Sequence, residues 1–272
     1  MEGDALGDRM KEYEMAEAGR MLIAGLPVMM RLDGKAFHTF TKGLQRPFDK
    51  RLTDLMVATT KFLVESTNAV VGYTQSDEIS LILYTENPTT QLFFDGRIQK
   101  LTSVVTSMAT AFFNRELPKA LPEKADKVAL FDCRVWNVPS TVEATNVLVW
   151  RELDATKNAI SMAAQHYFSH KELQNKNGKE MQEMLFQKGV NFNDYPSFFK
   201  RGSYIRRVHK AVKFTFDEIC NLPDKHEARV NPDLVVERSV VERVELPPIT
   251  KIVNRVDVFF KGAEPALATA AN

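Results

Sequence analysis

The chain is short of cysteine, carries almost no net charge and has no long apolar run. Each lack closes off a class of protein. Only two cysteines, Cys133 and Cys220, occur in 272 residues. They form no C-x-x-C pair and stand near no ligand-like histidine. That excludes a zinc module and a disulfide framework, and points to a reducing compartment. No apolar stretch reaches the length of a membrane span. MEGDALGDRM, the first ten residues, is acidic and lacks an apolar core, so it does not read as a secretory signal. A cytoplasmic protein with no membrane partner is expected. The net charge of +1 removes the signature of a general nucleic-acid binder, so any basic site has to be local. There is no internal repeat and no low-complexity linker.

What is present suits one large domain or a core with an extension. The hydrophobic fraction of 44% supports a substantial core without staples. Apolar spacing predicts a helix over 5–24, then a buried strand over 27–32 closed by the turn dipeptide Asp33-Gly34. A helix over 49–66 follows, with Asp49 as its cap. Two β-rich runs, 69–74 and 79–84, flank QSDE at hairpin spacing. A second helix is expected over 98–115 and a strand over 128–136. Strand, helix, strand, strand, helix, strand is the βαββαβ order of a ferredoxin-like α+β fold, an antiparallel sheet with helices on one face. Beyond it, helices over 140–168 and 178–188 and a hairpin over 203–216 read as an extension. The expected division is a core of residues 1–138 and a helical and hairpin extension of 139–272 packed on it, with a tail frayed from about 262.

GYTQSDEISLIL, residues 72–83, sets Asp77 and Glu78 inside an apolar run, where desolvating a carboxylate is costly. In a ferredoxin-like sheet the first and third strands are central neighbours. The end of one and the start of the other lie at the same edge, so Asp33 converges on Asp77 and Glu78. Gathered carboxylates repel unless a cation lies among them. Hard oxygen ligands suit Mg²⁺, which also favours substrate phosphates, and two such ions can clamp a nucleotidyl displacement. Asp-Gly and Ser-Asp-Glu are each ordinary turn sequences as well; it is their joint placement that favours catalysis. Neighbours in a strand alternate faces, which makes Asp77 rather than Glu78 the expected partner of Asp33.

DGKAFH, residues 33–38, offers Gly34 and several amides beside that point, a loop able to cradle a triphosphate. Lys35 could add charge there or point into water. His38 could touch a base or a phosphate, or simply pack. FFKRGSYIRRVHKAVK, residues 198–213, carries Lys200, Arg201, Arg206, Arg207, Lys210 and Lys213 with no acid, and interleaves Phe198, Phe199 and Tyr204. It reads equally as a phosphate-backbone contact and as a solvated strand with its aromatics in the core. Arg97 and Lys100, three apart on one helix face, and Arg134 are further candidates for phosphate contact.

RLDGKAFHTFTKGLQRPFD (31–49), GYTQSDEISLIL (72–83), FDCRV (131–135), WRELDATKN (150–158) and FFKRGS (198–203) occur in this order. Together they resemble the tRNA-histidine guanylyltransferase family, the reverse, 3′-to-5′ nucleotidyltransferases. The likeness spans about residues 5–210, and from about 215 onward nothing matches. It implies a catalytic palm like those of polymerases and cyclases, with two-metal chemistry. By carry-over, Asp33, Gly34 (through its carbonyl) and Asp77 would hold two Mg²⁺ ions, and Glu78 would be a supporting catalytic carboxylate. Asp33, Gly34, Lys35, Ala36, Phe37, His38, Ser76 and Asp77 would hold the nucleotide. Arg31, Arg97, Lys100, Arg134, Asn158, Lys200, Arg201, Arg206 and Arg207 would reach triphosphate or tRNA.

Members of that family activate a tRNA 5′-monophosphate with ATP or GTP. The 3′-hydroxyl of GTP or another nucleotide then attacks the activated end. After WR-x-x-D, Thr156-Lys157-Asn158-Ala159 stand where the tRNA-histidine-specific branch has His-Ile-Asn-Asn; only Asn158 is kept. The chain thus resembles the branch of "like" proteins, which add templated nucleotides and repair truncated 5′ ends. A homotetramer, a dimer of dimers, is implied as well. Two alternatives stay open from the residues: a nucleotide cyclase, and a non-catalytic RNA-binding protein on a ferredoxin-like scaffold. The basic-aromatic run argues against the first and the acidic edge against the second.

Overall fold

The computed structural model describes residues 5–87 and 90–268. Its strands are β1 (Val28–Gly34), β2 (Val71–Gln75), β3 (Glu78–Leu83), β4 (Phe131–Asn137), β5 (Ser203–Lys213) and β6 (Val235–Val244). They form one antiparallel sheet in the order β4-β1-β3-β2-β5-β6. The first four strands stand in ferredoxin-like order, and β5 and β6 extend the sheet beyond β2. The longer helices are α1 (Ala5–Ala18), α3 (Lys50–Thr67), α4 (Ile98–Ala120), α5 (Thr141–Tyr167) and α7 (Gly178–Gln187). Short ones are α2 (Phe37–Phe40), α6 (His170–Leu173), α8 (Ser197–Arg201), α9 (Phe216–Asn221), α10 (Glu227–Val230) and α11 (Arg255–Phe260). The fold is α+β.

Alternation along β1 divides the core. Val28, Met30 and Leu32 join Leu63 and Val64 of α3 and Leu101, Val105 and Phe113 of α4. Met29 faces the other way and joins Tyr73, Ile82, Tyr204 and, from α5, Ala144 and Leu148. The two core helices therefore share one face, and α5 of the extension covers the other. A buried carboxylate anchors α5 there. Glu152 accepts the Tyr204 hydroxyl and the Ile249 amide, both at 2.9 Å. Burial pushes its carboxyl up, and these two donors oppose that rise.

Asp49 caps α3 as expected, accepting the Arg51 amide at 3.0 Å and the Arg51 guanidinium at 2.8 Å. The Arg51 hydrogen bond holds its carboxyl below the ordinary range although burial works against it. Asp49→Ala is expected to lower stability by about 1–2 kcal/mol, measured by urea unfolding at neutral pH. The folded-state pKa is depressed, so this contribution is present above the ordinary carboxylate pKa. It is lost as pH falls through the lowered value, and the two proteins should converge in acid.

Several elements differ from expectation. Residues 203–213 are a single strand, not a hairpin. Their alternation is that of one strand, paired with β2 over residues 203–206 and with β6 over 204–213, and β6 lies in the part of the chain that resembled nothing. The first helix stops at Ala18 and buries none of its residues; Leu6, Met10 and Tyr13 stay exposed. α4 runs on through Pro118 to Ala120. Past 262 the chain is pinned rather than frayed: the Val253 amide donates to Ala266 at 2.8 Å and the Ala268 amide to Lys251 at 3.2 Å. The last part of that expected tail, 269–272, lies outside the described residues. Cys133 and Cys220 are both free, and burial pushes the Cys133 thiol up to about 12, so it stays neutral. No helix among the described residues is long and apolar enough to cross a membrane.

Candidate active site

Two residues, Ser76 and Asp77, join β2 to β3, with Gln75 and Glu78 closing the hairpin as partners. Ser76 takes the left-handed backbone, φ 54°, that such a tight turn requires. The turn meets the end of β1, where the Gly34 amide donates to the Asp77 carbonyl at 3.1 Å. Asp33 lies opposite Glu78 on one side and opposite Asp132 of β4 on the other. Cross-strand partners share a face, so Asp33, Glu78 and Asp132 lie on the α5 side. The strand partner of Asp33 is Glu78, not the expected Asp77. Asp77 belongs to the turn rather than the strand, so Glu78 pairs with Asp33 while Asp77 approaches from the turn.

The electrostatics record this crowding. Burial pushes the Asp77 carboxyl up, the Asp33 charge adds to the rise, and the Ser76 hydroxyl opposes it. Burial also pushes Glu78 up, against the pull of Arg151. Arg151 grips Glu78 with a two-pronged fork, Nε to Oε1 at 2.6 Å and Nη2 to Oε2 at 2.7 Å, and reaches Asp154 at 3.1 Å. Arg31 Nε lies 4.0 Å from Glu78. Among the described residues no three His, Cys, Asp or Glu side chains are set as a metal-ligand group. With both Glu78 oxygens engaged and exposed Asp132 lying 3.7 Å from Arg134, Asp33 and Asp77 are the carboxylates left to line the site. That set fits Mg²⁺, which binds through one or two carboxylates and completes its shell with water and substrate phosphates. A cation there relieves the repulsion that Asp77 feels from Asp33.

The acidic turn opens into a pocket whose far wall is α5. Asn158, Ser161, Met162 and Gln165, at helical spacing on one face, line it with Asp33, Ser76, Asp77, Glu78 and Arg151. A second pocket adjoins it through Gln75, Ser76 and Met162, and its walls include Gln45, Phe48, Asp49, Phe198 and Phe199. A polar, charged chamber thus meets an aromatic one.

The loop 33–38 folds tightly beside them. A Cβ on Gly34 would come within 2.3 Å of the Phe37 ring, so glycine is what lets the loop turn back. Ala36 takes φ 56°. The Phe37 side chain is buried against Phe113 and Phe131, so only its backbone can face a nucleotide. The Lys35 amide is spent on Leu130 at 2.8 Å and its side chain is exposed. His38 is exposed too, its ring 3.0 Å from the Thr39 hydroxyl. Among the described residues the amides of Phe37 and His38 meet no acceptor.

The remaining candidate contacts separate. Arg31 sits at the acidic end, its Nε buried without a hydrogen-bond partner among the described residues. Exposed Arg134 is its neighbour across β4, 3.7 Å from Asp132. Lys200 turns to the Asn193 carbonyl, and the Arg201 carbonyl accepts the Tyr73 hydroxyl at 2.9 Å. Arg206 and Arg207 are not gathered with the acids. Arg206 pairs with Val71, at the other end of β2. Their guanidiniums cap the carbonyls of Val258 at 2.6 Å and Val64 at 3.1 Å. Arg97 and Lys100 are not gathered either. They head α4, and Phe113, which meets Phe37, lies about 20 Å further along it than Lys100.

Three neighbours of the site, Asp132, Arg151 and Trp150, were not among the expected site residues. FDCRV and WRELD contain them, but residue 132 meets residue 33 only once the strand register is known. Arg151 finds its partner 73 positions away.

Known proteins share this fold. The family model for Thg1, tRNAHis guanylyltransferase, matches residues 7–139. The tRNA(His) guanylyltransferase of Saccharomyces cerevisiae is 31% identical over 214 residues, 71% of this chain and 89% of that one. A bacterial Thg1-like protein solved in complex with ATP is 43% identical, with a TM-score of 0.71 over 74% of this chain and 88% of that one. One in complex with GTP is 36% identical, with a TM-score of 0.69 over 91% and 95%. The chain belongs to the tRNA(His) guanylyltransferase, or Thg1, family of nucleotidyltransferases.

Proposed function

We propose that the chain adds nucleotides to tRNA 5′ ends in the 3′-to-5′ direction, with ATP or GTP as activator and GTP or a templated nucleotide as the unit added. The observation that carries this reading is the meeting of Asp33, Asp77 and Glu78 at one sheet edge, facing a pocket whose other wall is α5. The relatives solved with ATP and with GTP support it. Thr156 and Ala159, where the histidine-specific branch has histidine and asparagine, support templated 5′-end repair over a single guanylate addition.

Asp33, Asp77 and the Gly34 carbonyl would hold magnesium, two ions in this proposal, which when bound neutralise charge on the phosphates and activate the attacking oxygen. Glu78, fixed by Arg151, adds negative charge behind them. The free amides of Phe37 and His38 receive triphosphate oxygens, the Arg31 guanidinium meets the RNA, and the aromatic pocket receives a base. In the first transfer the RNA 5′-phosphate oxygen attacks the α-phosphorus of ATP and pyrophosphate leaves. In the second the 3′-hydroxyl of the incoming nucleotide attacks the adenylylated 5′-phosphorus and AMP leaves. Residues 1–138 carry the reaction, and 139–272 supply the α5 wall and the two outer strands. A cytoplasmic homotetramer is part of the proposal, supported by the exposed apolar side chains of α1.

The test supplies purified protein with Mg²⁺, ATP and GTP, and tRNA ending in a 5′-monophosphate, full-length or lacking its first nucleotide. Elongation of the truncated RNA in preference to the intact one is expected. No elongation of either overturns the proposal.

A further inference from the structure

Trp150 is 50% exposed on α5, and it is not among the residues lining the acidic pocket. It lies against two flat cations: its ring centroid is 5.3 Å from the Arg31 guanidinium and 4.5 Å from that of Arg151. Both arginines lean towards Glu78. Arg134 stands beside Arg31 at the same register on β4, more than half exposed, with Asp132 as an acidic neighbour at 3.7 Å. Beyond the Arg31 and Arg151 contacts half of the indole is left in water, apolar surface that a stacked ring can cover. Here it stands beside guanidiniums at the rim of a phosphate-handling centre. Indole and guanidinium planes both accept stacked nucleobases.

We propose that Trp150 is a stacking platform for the terminal base of the RNA substrate, with Arg31 and Arg134 on the adjoining phosphates. This rests on the reading of the site as an RNA 5′-end nucleotidyltransferase. Arg31 is two residues, about 7 Å, along β1 from Asp33. One nucleotide covers that reach from its phosphate to its base. An RNA end whose 5′-phosphate sits at Asp33 and Asp77 therefore carries its first base towards Trp150. A mononucleotide in the pocket lined by Asn158 and Ser161 does not extend past the rim. The platform thus discriminates RNA from free nucleotide.

The chain has two tryptophans, so Trp136→Phe leaves Trp150 as the single indole fluorophore. In that background a 5′-monophosphorylated truncated tRNA should quench the emission, and ATP or GTP alone should not. In steady-state addition, Trp150→Ala should raise the KM for RNA on the order of ten-fold, the loss of one base stack. The KM for ATP and GTP and the kcat should stay within two-fold, and Trp150→Phe should restore most of the RNA affinity. Quenching by ATP or GTP alone overturns the platform in favour of a mononucleotide site. An RNA KM within two-fold of wild type in Trp150→Ala also overturns it, including where that variant instead changes the sedimentation of the protein. Quenching needs no turnover, so it tests the platform even where wild-type addition fails, and that failure counts against the site reading alone.

Discussion

Asp77→Asn is expected to fold at least as well as the wild type and to lose nucleotide addition by on the order of 10³-fold or more. The size follows from removing one of the two carboxylates proposed to hold the cations, whose charge stabilisation is several kcal/mol, at about 1.4 kcal/mol per decade of rate. The stability expectation has a separate source. Burial and the neighbouring Asp33 both push the Asp77 carboxyl up, so its ionised form is a cost to the metal-free fold at neutral pH. Asparagine keeps the shape and removes the charge. The Gly34 amide still has its acceptor, because that acceptor is the backbone carbonyl of residue 77. Urea unfolding without divalent cations and an addition assay with Mg²⁺ separate the two effects. A variant that loses activity because it unfolds would contradict this account, as would one that keeps activity. The pairing of equal stability with lost chemistry marks a residue placed for function at the expense of the fold.

Arg151→Met should have the opposite signature, with the fold itself weakened. Arg151 and Glu78 side chains are only 11% and 16% exposed, and the fork satisfies both carboxylate oxygens. Removing the cation leaves a desolvated carboxylate with Arg31 Nε at 4.0 Å as its nearest cation. The expected loss is about 3 kcal/mol, the lower end for breaking one side of a buried ion pair. Glu78→Gln alone should cost less, since Arg151 retains Asp154 at 3.1 Å. Adding Glu78→Gln to Arg151→Met should recover part of the loss, because the two sites share one interaction and their effects cannot add. Urea unfolding of the four proteins reads this directly. A single Arg151→Met variant within 0.5 kcal/mol of wild type, a margin typical of surface substitutions, would show that the fork carries little energy.

The ferredoxin-like half was legible because its signals are local. Asp49 stands three residues before Leu52, the first of a run of apolar positions at helical spacing, and Ser76-Asp77 interrupts two β-rich runs by a turn's length. Topology then brought Asp33 to the acidic turn without further information. What escaped depends on register or on distant partners. Glu78 was assigned to the wrong face because one position decides whether Asp77 is strand or turn. Asp132 needed the β1–β4 register, and Arg151 needed to be known as part of the helix that roofs the sheet. β5 read as a hairpin because alternation reveals a strand but not its neighbours. The basic run from 198 to 213 shows the limit of composition: Arg206 and Arg207 cap distant carbonyls, and Lys210 and Lys213 pair with Glu242 and Asp233. None of those acids lies within the run.

The central claim is that Asp33 and Asp77, far apart in the chain, jointly hold a divalent cation beside bound triphosphate. Mapping the backbone cuts made by Fe²⁺ and peroxide, with ATP present and Mg²⁺ as competitor, tests it most directly. Cleavage next to residues 33 and 77 together, suppressed by Mg²⁺ and absent from Asp77→Asn, is the predicted result. Cleavage confined to other segments, or cuts at 33 and 77 that Mg²⁺ leaves unchanged, would contradict the claim.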